Sequence, residues 1–103
     1  MKLEFYSEEK LKKQVLEILR KNLDLLEYKV FFFGSRVTGN NSERSDIDIG
    51  IEGVKPVSAI AMAKIREAIN ALPFLYSVDV VDFKEVGANF SKIAKQKIEL
   101  VND

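Results

Sequence analysis

The sequence predicts an α/β layer structure with its elements in the order α-β-α-β-α-β-α. Two long segments place apolar residues at helical spacing. Three short segments are rich in β-branched and aromatic residues, and one of them alternates strictly between polar and apolar. No repeat, low-complexity tract or linker interrupts the 103 residues, so residues 1–103 read as a single domain.

Ser7 followed by Glu8 and Glu9 is a helix start, a capping hydroxyl and then acids in the positive first turn. Leu11, Val15, Ile18, Leu19 and Leu26 share one face of that helix, which is expected to end before Tyr28. Val30-Phe31-Phe32-Phe33 is a continuous apolar run closed by Gly34 and predicts a buried strand. Gly34 to Ser45 is polar and reads as a loop, with room for one short helical turn. Asp46 to Ile51 alternates and predicts a two-faced strand, broken by Gly53 and Pro56. Val57 to Leu72 predicts a helix with Val57, Ile60, Ala61, Ile65, Ala68, Ile69 and Leu72 inward, stopped by Pro73. Ser77 to Phe83 is a third strand and Ala88 to Gln96 a short helix. The tail Ile98-Leu100-Val101 is either the last turn of that helix or a short edge strand.

Composition narrows the chemistry. The apolar fraction of 47% is enough for one core. Sixteen basic and sixteen acidic residues balance, which argues against free nucleic acid as a partner. The absence of cysteine removes disulfides and thiolate chemistry, and the absence of histidine removes the commonest general base and imidazole metal ligation. No apolar run approaches a membrane span, and the N-terminus lacks a signal-peptide core, so a cytoplasmic protein is expected.

Chemistry therefore rests on acids, basic side chains, hydroxyls and backbone. Asp46 and Asp48 stand two apart in a strand, so both point to one face while Ile47, Ile49 and Ile51 point to the other. Adjacent anions repel, but become favourable around a divalent cation that prefers hard oxygen ligands. Asp79 lies in the otherwise apolar Val78-Asp79-Val80-Val81 and would complete a three-carboxylate cluster if its strand pairs beside the first. Asp82, three residues on, faces the other way and is expected to meet solvent near the strand end. Gly34-Ser35 follows a buried strand and precedes a possible helical turn, where backbone N–H groups and a hydroxyl can receive phosphate. The missing Cβ of Gly34 would let the phosphate approach, and Arg36 and Arg44 would add positive charge unless they are only solvated loop charges.

Phe33-Gly34-Ser35, ten intervening residues, and Asp46-Ile47-Asp48-Ile49, with a later Val-Asp-Val-Val strand carrying Asp79, resemble the signature of the DNA-polymerase-beta-like nucleotidyltransferase superfamily, in its minimal nucleotidyltransferase branch. The resemblance spans residues about 28 to 83. It implies a small nucleotidyltransferase core, a mixed sheet of three to four strands with helices packed on it. It also implies metal-dependent transfer of a nucleoside monophosphate, AMP from ATP, to a hydroxyl with release of pyrophosphate. Asp46, Asp48 and Asp79 would be the catalytic and metal-holding residues for two Mg²⁺ ions, with Mn²⁺ as the alternative. Gly34, Ser35, Arg36 and Arg44 would bind the nucleotide. Only about 20 residues follow the third strand, so the acceptor is expected to be held by a partner chain or a dimer mate, or to be held weakly. In this branch such proteins act as antitoxins of HEPN-domain partners, by adenylylating them or by complex formation alone. An unrelated glycosyltransferase-like Asp-x-Asp protein would normally be longer. Phe74, Leu75, Tyr76, Phe83, Val86 and Phe90 are the candidate docking residues, against a plain core role for each.

Overall fold

The computed structural model describes residues 1–102. Helix α1 (Glu8–Arg20) opens as its sequence dictates: the Ser7 hydroxyl accepts from the Lys10 N–H at 3.2 Å, with Glu8 and Glu9 in the first turn and Arg20 in the last. It ends earlier than its apolar spacing suggests. The Asn22 side chain donates to the Ile18 carbonyl at 2.8 Å, and Asp24 accepts from the Leu26 N–H at 2.9 Å. Such side chains offer the backbone an alternative to helix, and Leu26 is left exposed rather than on the inner face.

Strand β1 (Tyr28–Phe33), the single turn α2 (Ser35–Thr38) and strand β2 (Ile47–Gly53) follow. Helix α3 (Ala59–Asn70) is capped by Ser58, whose hydroxyl accepts from the Ala61 N–H at 3.1 Å. Its buried stripe is Met62, Ile65 and Ile69, and Ile60, expected inward, falls on the opposite side and is exposed. Strand β3 (Val78–Asp82), helix α4 (Ala88–Ala94) and strand β4 (Glu99–Leu100) complete the order, so the tail is the edge strand rather than a last helical turn. Asn102 fastens that edge to the β1 side. Its side chain accepts from the Val30 N–H at 2.7 Å and donates to the Tyr28 carbonyl at 2.8 Å.

The four strands form one mixed sheet in the order β3-β2-β1-β4. β1 runs antiparallel to β2 and β4, and β3 runs parallel to β2 across the α3 crossover. Alternation divides the side chains. Val30, Phe32, Ile47, Ile49 and Ile51 join Leu11, Val15, Met62 and Ile65 in the main core, while Phe31, Phe33 and Phe83 form a smaller aromatic core on the other face. Phe83 meets Phe31 at 4.9 Å and Phe33 at 5.1 Å between ring centroids. Gly50 makes room for them, since a Cβ there would lie 2.6 Å from Phe31 Cζ and 2.7 Å from Phe83 Cε1. Phe83 is therefore a core residue, not a docking residue. Of the other docking candidates, Leu75 and Phe90 are exposed, and Phe74, Tyr76 and Val86 are half-buried. Among the described residues no helix is long and apolar enough to cross a membrane.

Candidate active site

The two halves of the Gly-Ser and Asp-x-Asp motif meet because β1 and β2 are neighbours. Phe33, the last residue of β1, pairs with Asp48 of β2, so the chain leaves β1 beside the Asp48 carboxylate. Gly34 turns there with φ +82°, a conformation side chains resist. A Cβ at Gly34 would collide with the Asp48 carboxylate, its Cγ only 3.1 Å away. The space next to Gly34 thus belongs to Asp48 rather than to an incoming phosphate, which revises the reason for the glycine. The Gly34 carbonyl then accepts from the Val37 and Thr38 N–H groups, each at 3.1 Å, and starts α2.

Asp79 is the register partner of Asp48 in the parallel β2–β3 pair, so the two carboxylates stand side by side on the face shared with Phe33. Asp46 lies one residue before β2, exposed, with the same alternation as Asp48. None of the ion pairs among the described residues involves these three acids. The consequence falls on Asp48, which is half-buried: desolvation first, then the negative charges of Asp79 and Asp46, push its pKa up from 3.8 to about 6.

An open cleft of about 650 Å³ spreads over Asp48 and Asp79, large enough for a nucleotide. Gly34, Ser35, Thr38 and Asn40 form one wall, and Phe90, Ile93, Ala94 and Lys97 form the other. Neither expected arginine lines it. Arg36 is buried under the loop that leads to Asp46, with Nε donating to the Ser45 carbonyl at 2.8 Å. Arg44 is exposed and borders a separate depression with Glu43, Phe74 and Leu75. The lysine that lines the cleft is Lys97. Phe90, Ile93 and Ala94 belong to α4 and Lys97 follows three residues after its end; the sheet face that α4 covers was not legible in the sequence. Asp82 does not meet solvent. It is buried, and its carboxylate accepts from the Val57 N–H at 2.8 Å and the Lys84 N–H at 2.9 Å, tying the start of the α3 segment to the end of β3.

Residues 12–101 match the family described as the nucleotidyltransferase domain. The chain belongs to that family. This nucleotidyltransferase-domain chain is also 27% identical over 95 residues, 90% of its own length and 83% of the relative's, to a probable protein adenylyltransferase MntA of Haemophilus influenzae. Several solved structures share its fold, among them three toxin–antitoxin complexes. A crystal structure of a toxin–antitoxin with AMP-PNP matches with a TM-score of 0.70 at 22% identity, over 88% of this chain and 72% of that one. A tri-AMPylated Shewanella oneidensis HEPN toxin in complex with an MNT antitoxin matches with a TM-score of 0.69 at 18% identity, over 93% and 72%. A crystal structure of the toxin–antitoxin MntA–HepT matches with a TM-score of 0.67 at 19% identity, over 92% and 72%.

Nucleotidyltransferases of this family generally use divalent metals, and the donor chemistry here fits one. The acids offer only hard carboxylate oxygens, unpaired with any cation, and one of them holds its proton unusually tightly. Among the described residues no three acids are placed to ligate one ion together. Asp48 and Asp79 are paired by the sheet, while Asp46 stands just outside it.

Proposed function

We propose that this nucleotidyltransferase transfers AMP from ATP to a hydroxyl on a partner protein, and that it serves as the antitoxin of a HEPN-type partner in the cytoplasm. The observation that carries this reading is the register pairing of Asp48 and Asp79 beside Gly34-Ser35, in a cleft where Asp48 is pushed up to about 6 by burial first and then by its neighbours' charge. The kinship with a probable protein adenylyltransferase and the shared fold of toxin–antitoxin complexes support the acceptor and the partner.

In this mechanism Asp46, Asp48 and Asp79 would hold two Mg²⁺ ions, or Mn²⁺ in their place. The bound cations supply neutralisation of the triphosphate and a lower pKa for the attacking hydroxyl. The chain's own residues do the rest. Ser35 and the backbone after Gly34 receive the β and γ phosphates at the mouth of α2. Lys97 adds positive charge from the opposite wall, the part first expected of Arg36 and Arg44. Phe90 and Ile93 offer an apolar surface to the base. Asp79, exposed on β3, accepts the hydroxyl proton as the oxygen bonds to the α-phosphorus and pyrophosphate leaves.

The test is incubation with the HEPN-type partner and ATP labelled at either the α or the γ phosphate, with Mg²⁺ or EDTA. The proposal expects label on the partner only from α-labelled ATP and only with Mg²⁺. Complex formation with no label transfer would leave neutralisation by binding alone.

A further inference from the structure

Arg36 is 2% exposed, the more deeply buried of the two charged side chains in the interior of the described chain, and the mechanism above gives it no step. A guanidinium keeps its proton, so its charge must be met where it lies. Nε donates to the Ser45 carbonyl at 2.8 Å and Nη2 to the Glu43 carbonyl at 3.1 Å. Nη1 pairs with Glu4 at 3.4 Å. The guanidinium carbon lies 4.8 Å from the centroid of the Tyr76 ring, and the Tyr76 hydroxyl donates to the same Glu4 carboxylate at 3.1 Å.

These partners sit at a particular place. Between α2 and β2 the chain carries no helix or strand. Ser45 immediately precedes Asp46, and Arg36 immediately follows Ser35. One side chain therefore connects the two halves of the motif, the turn after Gly34 and the carbonyl before the first acid. Carbonyls at two different residues are reached by one planar fork, which an ammonium on a flexible stem does not reproduce.

We propose that Arg36 is a positioning residue: its guanidinium clamps the loop ending at Ser45 against α2 and so sets where Asp46 stands relative to Asp48. The inference rests on the reading of these acids as cation ligands. A clamp on the segment that carries a ligand acts on metal affinity as other outer partners of ligands do.

The experiment measures Mn²⁺ binding to nucleotide-free protein by electron paramagnetic resonance, beside far-ultraviolet circular dichroism and steady-state kinetics. Arg36→Lys keeps the charge and loses the fork. It is expected to fold, to bind Mn²⁺ at least about tenfold more weakly, and to lose kcat with little change in KM for ATP. A folded Arg36→Lys with wild-type Mn²⁺ affinity and kcat overturns the proposal and leaves Arg36 a purely structural charge. A raised KM for ATP at unchanged Mn²⁺ affinity overturns it in favour of a direct phosphate contact. If Arg36→Lys does not fold, Tyr76→Leu decides: it removes the plate on which the guanidinium rests, and weaker Mn²⁺ binding sustains the clamp while unchanged binding overturns it. Wild-type protein that binds no Mn²⁺ overturns the cation reading and this inference together, an outcome read without any variant.

Discussion

Asp48→Asn should stabilise the metal-free protein at neutral pH while abolishing transfer. In the folded chain Asp48 binds its proton more tightly than in the unfolded chain, with a pKa raised from 3.8 to about 6. Between those values the folded state carries more protons, so stability falls as pH rises through that window and the penalty is complete above it. At about 1.4 kcal/mol per pKa unit the unscreened penalty would be about 3 kcal/mol. The carboxylate borders an open cleft, and solvent screening brings this to about 1–2 kcal/mol. Asparagine has the same shape and no charge, so the variant escapes the penalty. Urea denaturation in EDTA should show the two proteins equally stable near pH ~2.5, below both values, where Asp48 is protonated in folded and unfolded chains alike, and the variant ahead by about 1–2 kcal/mol near pH ~8. For a domain of this size that corresponds to roughly 4–8 °C in melting temperature per kcal/mol. Saturating Mg²⁺ should reverse the order, adding about 2.7 kcal/mol to the wild type at a hundredfold excess over Kd and much less to the variant. A variant less stable than wild type near pH 8 in EDTA, or a difference that does not change with pH, would refute the account of Asp48 as a desolvated, uncompensated acid.

Gly34→Ala should lose about 1–3 kcal/mol of stability from backbone strain at φ +82° and, by pushing the Asp48 carboxylate aside, should weaken Mn²⁺ binding as well; a wild-type melting temperature would contradict this. Asp82→Ala should cost roughly 1–3 kcal/mol for each N–H left without an acceptor, Val57 and Lys84, with label transfer per folded molecule unchanged. Lost transfer at unchanged stability would instead make Asp82 part of the cation site. Lys97→Ala, at an exposed position, should leave stability alone and raise KM for ATP about tenfold, the weight of one charge-assisted phosphate contact; an unchanged KM would remove Lys97 from the phosphate wall.

Periodicity alone reaches far in this chain. The strict alternation around Asp46-Ile47-Asp48-Ile49 determines that the isoleucines face one way and the acids the other, because successive side chains of a strand must alternate. The Ser7 and Ser58 caps and the apolar stripes of α1 and α3 are local too, set by hydrogen bonds and spacing within a few residues. The errors at Leu26 and Ile60 arose where local side-chain hydrogen bonds or the helix's own rotation outweighed a plausible spacing. Whether the tail is helix or strand was open in the sequence, since two or three apolar residues suit either, and the free edge of β1 decided it.

Sheet order, by contrast, is a property of the whole chain. Only the parallel pairing of β2 with β3 brings Asp79 beside Asp48, and only the antiparallel pairing of β1 with β2 brings Gly34 against the Asp48 carboxylate. The basic residues were the least legible, because long side chains take their role from what surrounds their tips rather than from their place in a motif. Arg36, next to Ser35 in sequence, is drawn under the loop by backbone carbonyls and Glu4, whereas Lys97, 61 positions further along, reaches the cleft from just past the end of α4, which packs on the aromatic face of the sheet. Sequence determined which residue types could carry this chemistry and which way each strand presents them. Long-range pairing and the desolvation of particular tips decided which of them meet.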